Sequence, residues 1–171
     1  MKKLAHVLIL TLCFGILVPT NQISAYNNNN SQERHCDRGS GFGTGQFTSP
    51  TTAEGVINIR IDRTDYYVTA NVTILSLIPQ ADGSLVGTAT HTLKFYRGSA
   101  SGKFEGTITT SDNAVFTPTS TPGVYTLYNN ARISNGTGKF RRAVGGFEFT
   151  GTADFVNGTT ATPITAVICD C

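Results

Sequence analysis

Short runs of alternating apolar and polar residues fill most of the chain after residue 55. In residues 56–62, Ile57, Ile59 and Ile61 fall on one face and polar residues fall on the other, a pattern typical of a half-buried β-strand. The same period of two recurs in the segments 66–78, 84–96, 103–110, 124–134, 146–156 and 160–169. No segment has a convincing helical period, so the pattern predicts seven or eight strands.

Turn residues separate these segments. Asp82-Gly83 and Asn157-Gly158 are strong hairpin signals, and residues 98–102 and 134–146 are rich in glycine. Strands that follow one another through short turns predict a single all-β domain, an antiparallel up-and-down β-barrel of about eight strands. Glycines at inward positions fit a tightly coiled barrel. A β-sandwich is the alternative architecture.

The strand at residues 103–110 is the least regular of the set. Its alternation places Phe104, Gly106 and Ile108 on the inward face. Residues 113–116 either extend this strand or form a short strand of their own. The inward face of the neighbouring segment 84–96 includes His91, next to Leu93 on that face.

The N-terminus has the features of a secretory signal peptide. Lys2 and Lys3 precede an apolar run from Leu4 to Val18, and Ala25 ends the small-residue cleavage pattern. We predict cleavage after Ala25, with residues 1–25 removed and the protein secreted or periplasmic. The run is shorter than the roughly 20 residues that span a bilayer, so no stable membrane anchor is expected.

Composition and charge narrow the class of protein. Only 14% of the residues are charged, and threonine and glycine are abundant, as in sheet proteins. Without Lys2 and Lys3, the basic residues balance the 11 acidic residues. A near-neutral domain lacks the basic footprint of nucleic-acid binders, and we expect no nucleic-acid partner.

Domain boundaries follow from the same composition. Residues 26–52 are polar, with an asparagine run and then a stretch of glycine, serine and threonine. We interpret them as a flexible leader, whose glycine-rich part is a loop or a short edge strand. Residues 53–171 are predicted to form the barrel domain.

Three cysteines remain after the predicted cleavage: Cys36, Cys169 and Cys171. Because an exported chain meets an oxidising compartment, a disulfide from Cys36 to either Cys169 or Cys171 is expected. A metal site here would need His35 as a further ligand, and we expect no metal and no cofactor.

The run from Gly136 to Gly146, GTGKFRRAVGG, resembles the G-G-T-G-x-F-x-x-A-x-G segment of the dirigent and allene oxide cyclase barrel superfamily. The strands at 91–96 and 102–107 resemble that superfamily more loosely. The turn residues that carry the resemblance are Gly136, Gly138, Phe140, Gly145 and Gly146, and the glycines are expected to adopt positive φ.

The resemblance implies an eight-stranded barrel with a pocket, often assembled as a homotrimer. In plant members, the pocket binds a phenolic radical pair or an epoxy fatty acid. This chain has no counterpart of the cyclase's pocket carboxylate or of the acidic and arginine residues of dirigent pockets. The resemblance therefore supports the fold, and no catalytic residue is assigned.

Three residues are candidates for lining a ligand cavity. His91 shares the inward face of its strand, where an imidazole could exchange a proton near neutral pH. Tyr125 and Asn129 share one face of the segment 124–134 by period two. For each residue, a purely structural role in the core or at the barrel rim is the competing interpretation.

Two functions fit the sequence. The first is a non-catalytic barrel that binds a small apolar molecule or a partner, because the inward faces are largely apolar. The alternative is an isomerase, a cyclase or a barrel that directs stereochemistry, which requires at least two polar groups to converge in an open pocket.

Overall fold

A computed structural model describes residues 35–170 of the 171-residue chain. The predicted signal peptide, residues 26–34 of the predicted leader, and Cys171 lie outside the described residues. The strands are β1 (Cys36–Ser49), β2 (Thr52–Ile61), β3 (Thr64–Pro79), β4 (Leu85–Arg97), β5 (Phe104–Pro118), β6 (Val124–Gly136), β7 (Ala143–Asp154) and β8 (Thr159–Asp170). A 3-10 turn, Gly138–Phe140, lies between β6 and β7. In the described residues, no helical segment reaches the length and apolar character of a membrane span.

The eight strands form one closed barrel. Each strand pairs antiparallel with the next, and β8 pairs antiparallel with β1. The predicted all-β, up-and-down antiparallel barrel is thus confirmed, and the sandwich alternative is wrong. Closure pairs every strand on both sides, so no sheet edge remains.

Strand β1 corrects the predicted domain boundary. Residues 36–49, assigned from sequence to a flexible leader, pair with β2 from Gly39↔Ile61 to Ser49↔Thr52, and with β8 along most of their length. The barrel therefore begins at Cys36 rather than at residue 53. Most inward positions of β1 are glycines because neighbouring backbone and large side chains, such as those of Ile57 and Ile164 beside Gly43, already fill the space that a β-carbon would enter.

The disulfide joins the first and last strands. Cys36 and Cys169 are direct cross-strand partners and are bonded, with their Cα atoms 4.0 Å apart. Of the two pairings that the sequence left open for Cys36, the structure has the one with Cys169. The bond fastens β1 to β8 where the barrel closes.

One end of the barrel is filled by side chains. This end holds the β2–β3 turn, the β4–β5 turn and the disulfide. Leu93, Phe95 and Ile108 are completely buried there, and the ring of Phe140 packs 4.5 Å from that of Phe95, centroid to centroid. The isoleucines of β2 complete this core, as their alternation predicted.

A bulge at the start of β5 corrects the predicted position of Phe104. Phe95 pairs with Gly106 but Tyr96 pairs with Phe104, so Glu105 is an extra residue in the ladder. A one-residue insertion moves the preceding residues to the other face. Phe104 is therefore 49% exposed and packs on Tyr96, with ring centroids 5.5 Å apart, while Gly106 and Ile108 face inward as predicted.

The segment from the end of β6 to the start of β7 is rich in glycine for two different structural reasons. Gly138 and Gly145 have positive φ, 57° and 116°, a conformation that favours glycine. Gly136 and Gly146 do not, which corrects the expectation that all four would. These two are glycine because a β-carbon would collide with the carbonyl oxygens of Phe140 and Ala131, respectively.

Candidate functional site

The other end of the barrel is hollow because small residues face inward there. Five strands place glycine or alanine at inward positions here: Gly43 and Gly45 in β1, Ala53 and Gly55 in β2, Ala70 in β3, Gly87 and Ala89 in β4, and Ala114 in β5. Side chains this short do not meet across the barrel. They leave a cavity of about 110 Å³, at the end that carries the β1–β2, β3–β4, β5–β6 and β7–β8 turns.

The cavity walls are mostly apolar. Beyond the small residues, the apolar lining consists of Phe47, Ile57, Val72, Ile74, Phe116, Leu127 and Phe149. Thr160 and Thr162 of β8 also line the cavity. Four lining residues, Thr44, Glu54, Leu77 and Thr88, are exposed. Leu77 shares the inward face with its cross-strand partner Gly87, so the cavity reaches solvent beside Leu77. The register of β3 against β4 shifts between Ile74 and Ser76, next to this opening.

His91 is the one titratable side chain among the buried residues that line the cavity. Strand alternation turns it inward from β4, where Val72 of β3 lies directly opposite. Its imidazole stacks on the ring of Phe149, with centroids 5.0 Å apart and planes 6° from parallel. Nδ1 contacts the Oδ2 atom of Asp112 in a short hydrogen bond. The ring is thus fixed from two directions.

Asp112 lies behind His91 and its side chain is completely buried. Thr110 donates its hydroxyl to Oδ1 of Asp112 at 2.5 Å, and Asn129 donates Nδ2 to Oδ2 at 3.1 Å. The hydroxyl oxygen of Thr110 also accepts the backbone N–H of His91 at 3.2 Å. A buried carboxylate needs such partners because removing an unpaired charge from water is very costly. We call these four residues, His91, Thr110, Asp112 and Asn129, the polar cluster.

The polar cluster determines which nitrogen of His91 is left without a hydrogen-bond partner. Thr110 and Asn129 donate to the two oxygens of Asp112, so the carboxylate acts as an acceptor and Nδ1 of His91 donates to it. Nε2 then remains for contacts with a bound molecule; among the described residues, none hydrogen-bonds to it. A carboxylate that orients an imidazole in this way is a common arrangement for positioning a base or a polar contact.

The three residues predicted from sequence occupy different places. His91 lines the cavity. Asn129 is buried but reaches the cavity only through Asp112, to which it donates. Tyr125 does not line the cavity; it packs on Phe155, with ring centroids 5.3 Å apart, and Phe155 in turn packs on the lining residue Phe116. The structure therefore brings His91 and Asn129 together through a residue that sequence reasoning missed.

The missed residues are Thr110 and Asp112. A strand was predicted over residues 103–110, with residues 113–116 either extending it or forming a strand of their own; β5 is one continuous strand from Phe104 to Pro118. The sequence signal is weak because residues 109–113 are all polar; counting in steps of two from Ile108 to Ala114 and Phe116 would have placed Asp112 on the inward face. A charged residue at an inward position of a barrel strand is unusual enough to mark a candidate site.

Comparisons of this chain with protein-family models, with curated proteins and with solved structures found no match. The interpretation of the site therefore depends on its geometry.

Proposed function

We propose that this protein is an exported barrel that binds a small, largely apolar molecule in the cavity beside His91. The observation that carries the proposal is an apolar cavity of about 110 Å³ that opens to solvent and contains one fixed imidazole. Binding sites of this kind combine apolar walls with a few oriented polar groups. Water molecules are poorly stabilised in such a space, because most of the wall atoms offer them no hydrogen bond.

Cavity size limits the ligand. An engineered apolar cavity of about 150 Å³ holds benzene, so a cavity of about 110 Å³ fits a molecule with one small ring or a short branched chain. The phenolic pair or epoxy fatty acid that the dirigent and allene oxide cyclase resemblance implies would not be enclosed by this space. We therefore propose that the chain shares the barrel of that superfamily but binds a smaller molecule.

Location and assembly are part of the proposal. A disulfide between Cys36 and Cys169 is consistent with an oxidising compartment, which supports secretion or a periplasmic location. The homotrimer that the resemblance implies remains a proposal, and the experiment below also counts subunits.

Native mass spectrometry of the protein purified from its own host tests ligand binding. We expect an additional mass that is lost on denaturation. The variant A89L should lack this mass, because the leucine side chain would fill the cavity from β4. Its folded state should be at least as stable as that of the wild type, since filling a cavity commonly adds about 0.5–2 kcal/mol.

The matched control is T90L, which adds the same side chain one residue along β4, on the outward face. It should retain the additional mass. The proposal is wrong if the wild-type protein is empty and also takes up no small apolar molecule, or if A89L retains the ligand as well as T90L does.

Catalysis by proton transfer is the second candidate function, and the His91–Asp112 pair is the observation that favours it. A carboxylate-oriented imidazole facing an apolar cavity has the geometry of a general base. An isomerase would move a proton from one carbon of the substrate to another, with Nε2 of His91 carrying it between them. Incubating the ligand identified by mass spectrometry with fresh protein distinguishes the two functions: a binding protein returns it unchanged, and an isomerase converts it to an isomer of equal mass but different chromatographic retention.

A further inference from the structure

His91 adds a ring nitrogen to a cavity whose other buried polar lining residue is Thr162 of β8. The His91 side chain is 11% exposed, and this small exposure is consistent with an opening toward the cavity that it lines. Nδ1 is already used by Asp112, so Nε2 is the free atom. If a wholly apolar ligand displaced water from the cavity, Nε2 would lose its hydrogen-bond partners, and leaving a buried polar group unpaired costs about 1–3 kcal/mol.

We propose that the ligand carries a hydroxyl group that bonds to Nε2 of His91, and that the ligand class is a small cyclic or branched alcohol. This inference rests on the proposed binding function and specifies its chemistry. With Nδ1 donating to Asp112, Nε2 of a neutral imidazole accepts a hydrogen bond, whereas Nε2 of a protonated imidazole donates one. A hydroxyl group can donate and accept, so it fits both forms; an ether or carbonyl oxygen fits only the protonated form.

The remaining walls define the rest of the ligand. Phe149 holds the imidazole plane from one side, and Ala89 and Ala114 line the space nearby. These short side chains contribute apolar surface without polar atoms. The ligand body should therefore be apolar and compact, with its hydroxyl group at one end.

A pair of matched probes tests the alcohol class. Cyclopentanol and cyclopentane have the same ring and differ by one hydroxyl group. We would measure both dissociation constants from the NMR shifts of the Ala89 and Ala114 methyl groups. In the wild type, cyclopentanol should bind at least as tightly as cyclopentane, although its hydroxyl group must leave water.

A second measurement on the same samples needs no variant. The Nε2 resonance of His91 in a long-range ¹H–¹⁵N spectrum should shift on addition of cyclopentanol and change much less with cyclopentane. His35 is the internal control, because its side chain is 84% exposed and it precedes β1 at the filled end of the barrel. Its resonances should not change with either probe.

The variant H91L/D112L removes both members of the pair, so no unpaired carboxylate is left in the core. The ratio of the cyclopentane to the cyclopentanol dissociation constant should fall about tenfold from the wild type to this variant, within the range expected for an unpaired buried polar group. In T90L, which alters the outward face of the same strand, the ratio should not change.

The outcomes separate this inference from the proposed function. If both probes bind the wild type, but the ratio is unchanged in H91L/D112L and the Nε2 resonance does not respond, the alcohol class is wrong and apolar binding stands. If neither probe binds the wild type, the binding function itself is wrong. The inference is supported if the wild type prefers cyclopentanol to cyclopentane, if this preference is lost in H91L/D112L, and if cyclopentanol shifts the Nε2 resonance of His91.

Discussion

The variant H91L is expected to lose about 3 kcal/mol of folding free energy, because removing one partner of a buried hydrogen bond costs about 1–3 kcal/mol and the group left behind here is a carboxylate. The leucine fills a similar space, so the loss comes chiefly from Asp112. Its side chain is completely buried, and without the imidazole it would keep only the hydrogen bonds from Thr110 and Asn129.

Urea denaturation of H91L, D112L and H91L/D112L measures this effect. The double variant should recover part of the stability lost in H91L, because no unpaired charge is left, although Thr110 and Asn129 lose the acceptor that Asp112 provides. The outward-facing control T90L should lie within about 0.5 kcal/mol of the wild type. If the double variant is as destabilised as the sum of the single variants, the two residues do not act as a pair.

The variant C36A is expected to lose about 2–5 kcal/mol of folding free energy, the range for removal of a native disulfide from a small secreted domain. The bond closes a loop with a sequence separation of 133 residues, for which the chain-entropy model gives about 5 kcal/mol. It also joins β1 to β8, so the seam of the barrel should open more readily without it.

Thermal melting with and without reductant measures the contribution of the disulfide. Reduced wild-type protein and C36A should melt at similar temperatures, both below the oxidised wild type, and reductant should not lower the melting temperature of C36A further. S40A, an exposed substitution on the same strand, is the control and should melt with the oxidised wild type. Equal melting of C36A and oxidised wild type would contradict this account.

The alternation of apolar residues predicted most of the barrel. The isoleucines of β2 and the series Ala89, His91, Leu93 and Phe95 in β4 face inward as expected, because strands with one buried face require a period of two. Asp82-Gly83 and Asn157-Gly158 mark turns in the structure as well.

Strand β1 was predicted only as a loop or a short edge strand within a flexible leader, because its inward residues are mostly glycines. A strand without apolar side chains on its inward face shows no alternation of apolar and polar residues. Its glycine-rich composition then resembles that of a loop. The backbone and side chains of the neighbouring strand, such as those of Ile59 and Ile61, explain why glycine is required there. Such a requirement depends on cross-strand register, which a single segment does not contain.

The cavity and the polar cluster depend on register as well. His91 could be placed inward from its own strand, but its partner Asp112 lies on β5, and the space beside it exists because small residues from five strands meet at one level of the barrel. Similarly, the bulge at Glu105 that turns Phe104 outward leaves no mark in the alternation of residues 103–110.

A crystal of the protein pressurised with xenon tests the central claim most directly, since xenon enters apolar cavities without requiring knowledge of the natural ligand. We predict a xenon atom inside the barrel, among Ala89, Ala114 and Phe149, with His91 still bonded to Asp112. An interior at this end that is filled by side chains, with no xenon in it, would contradict the account.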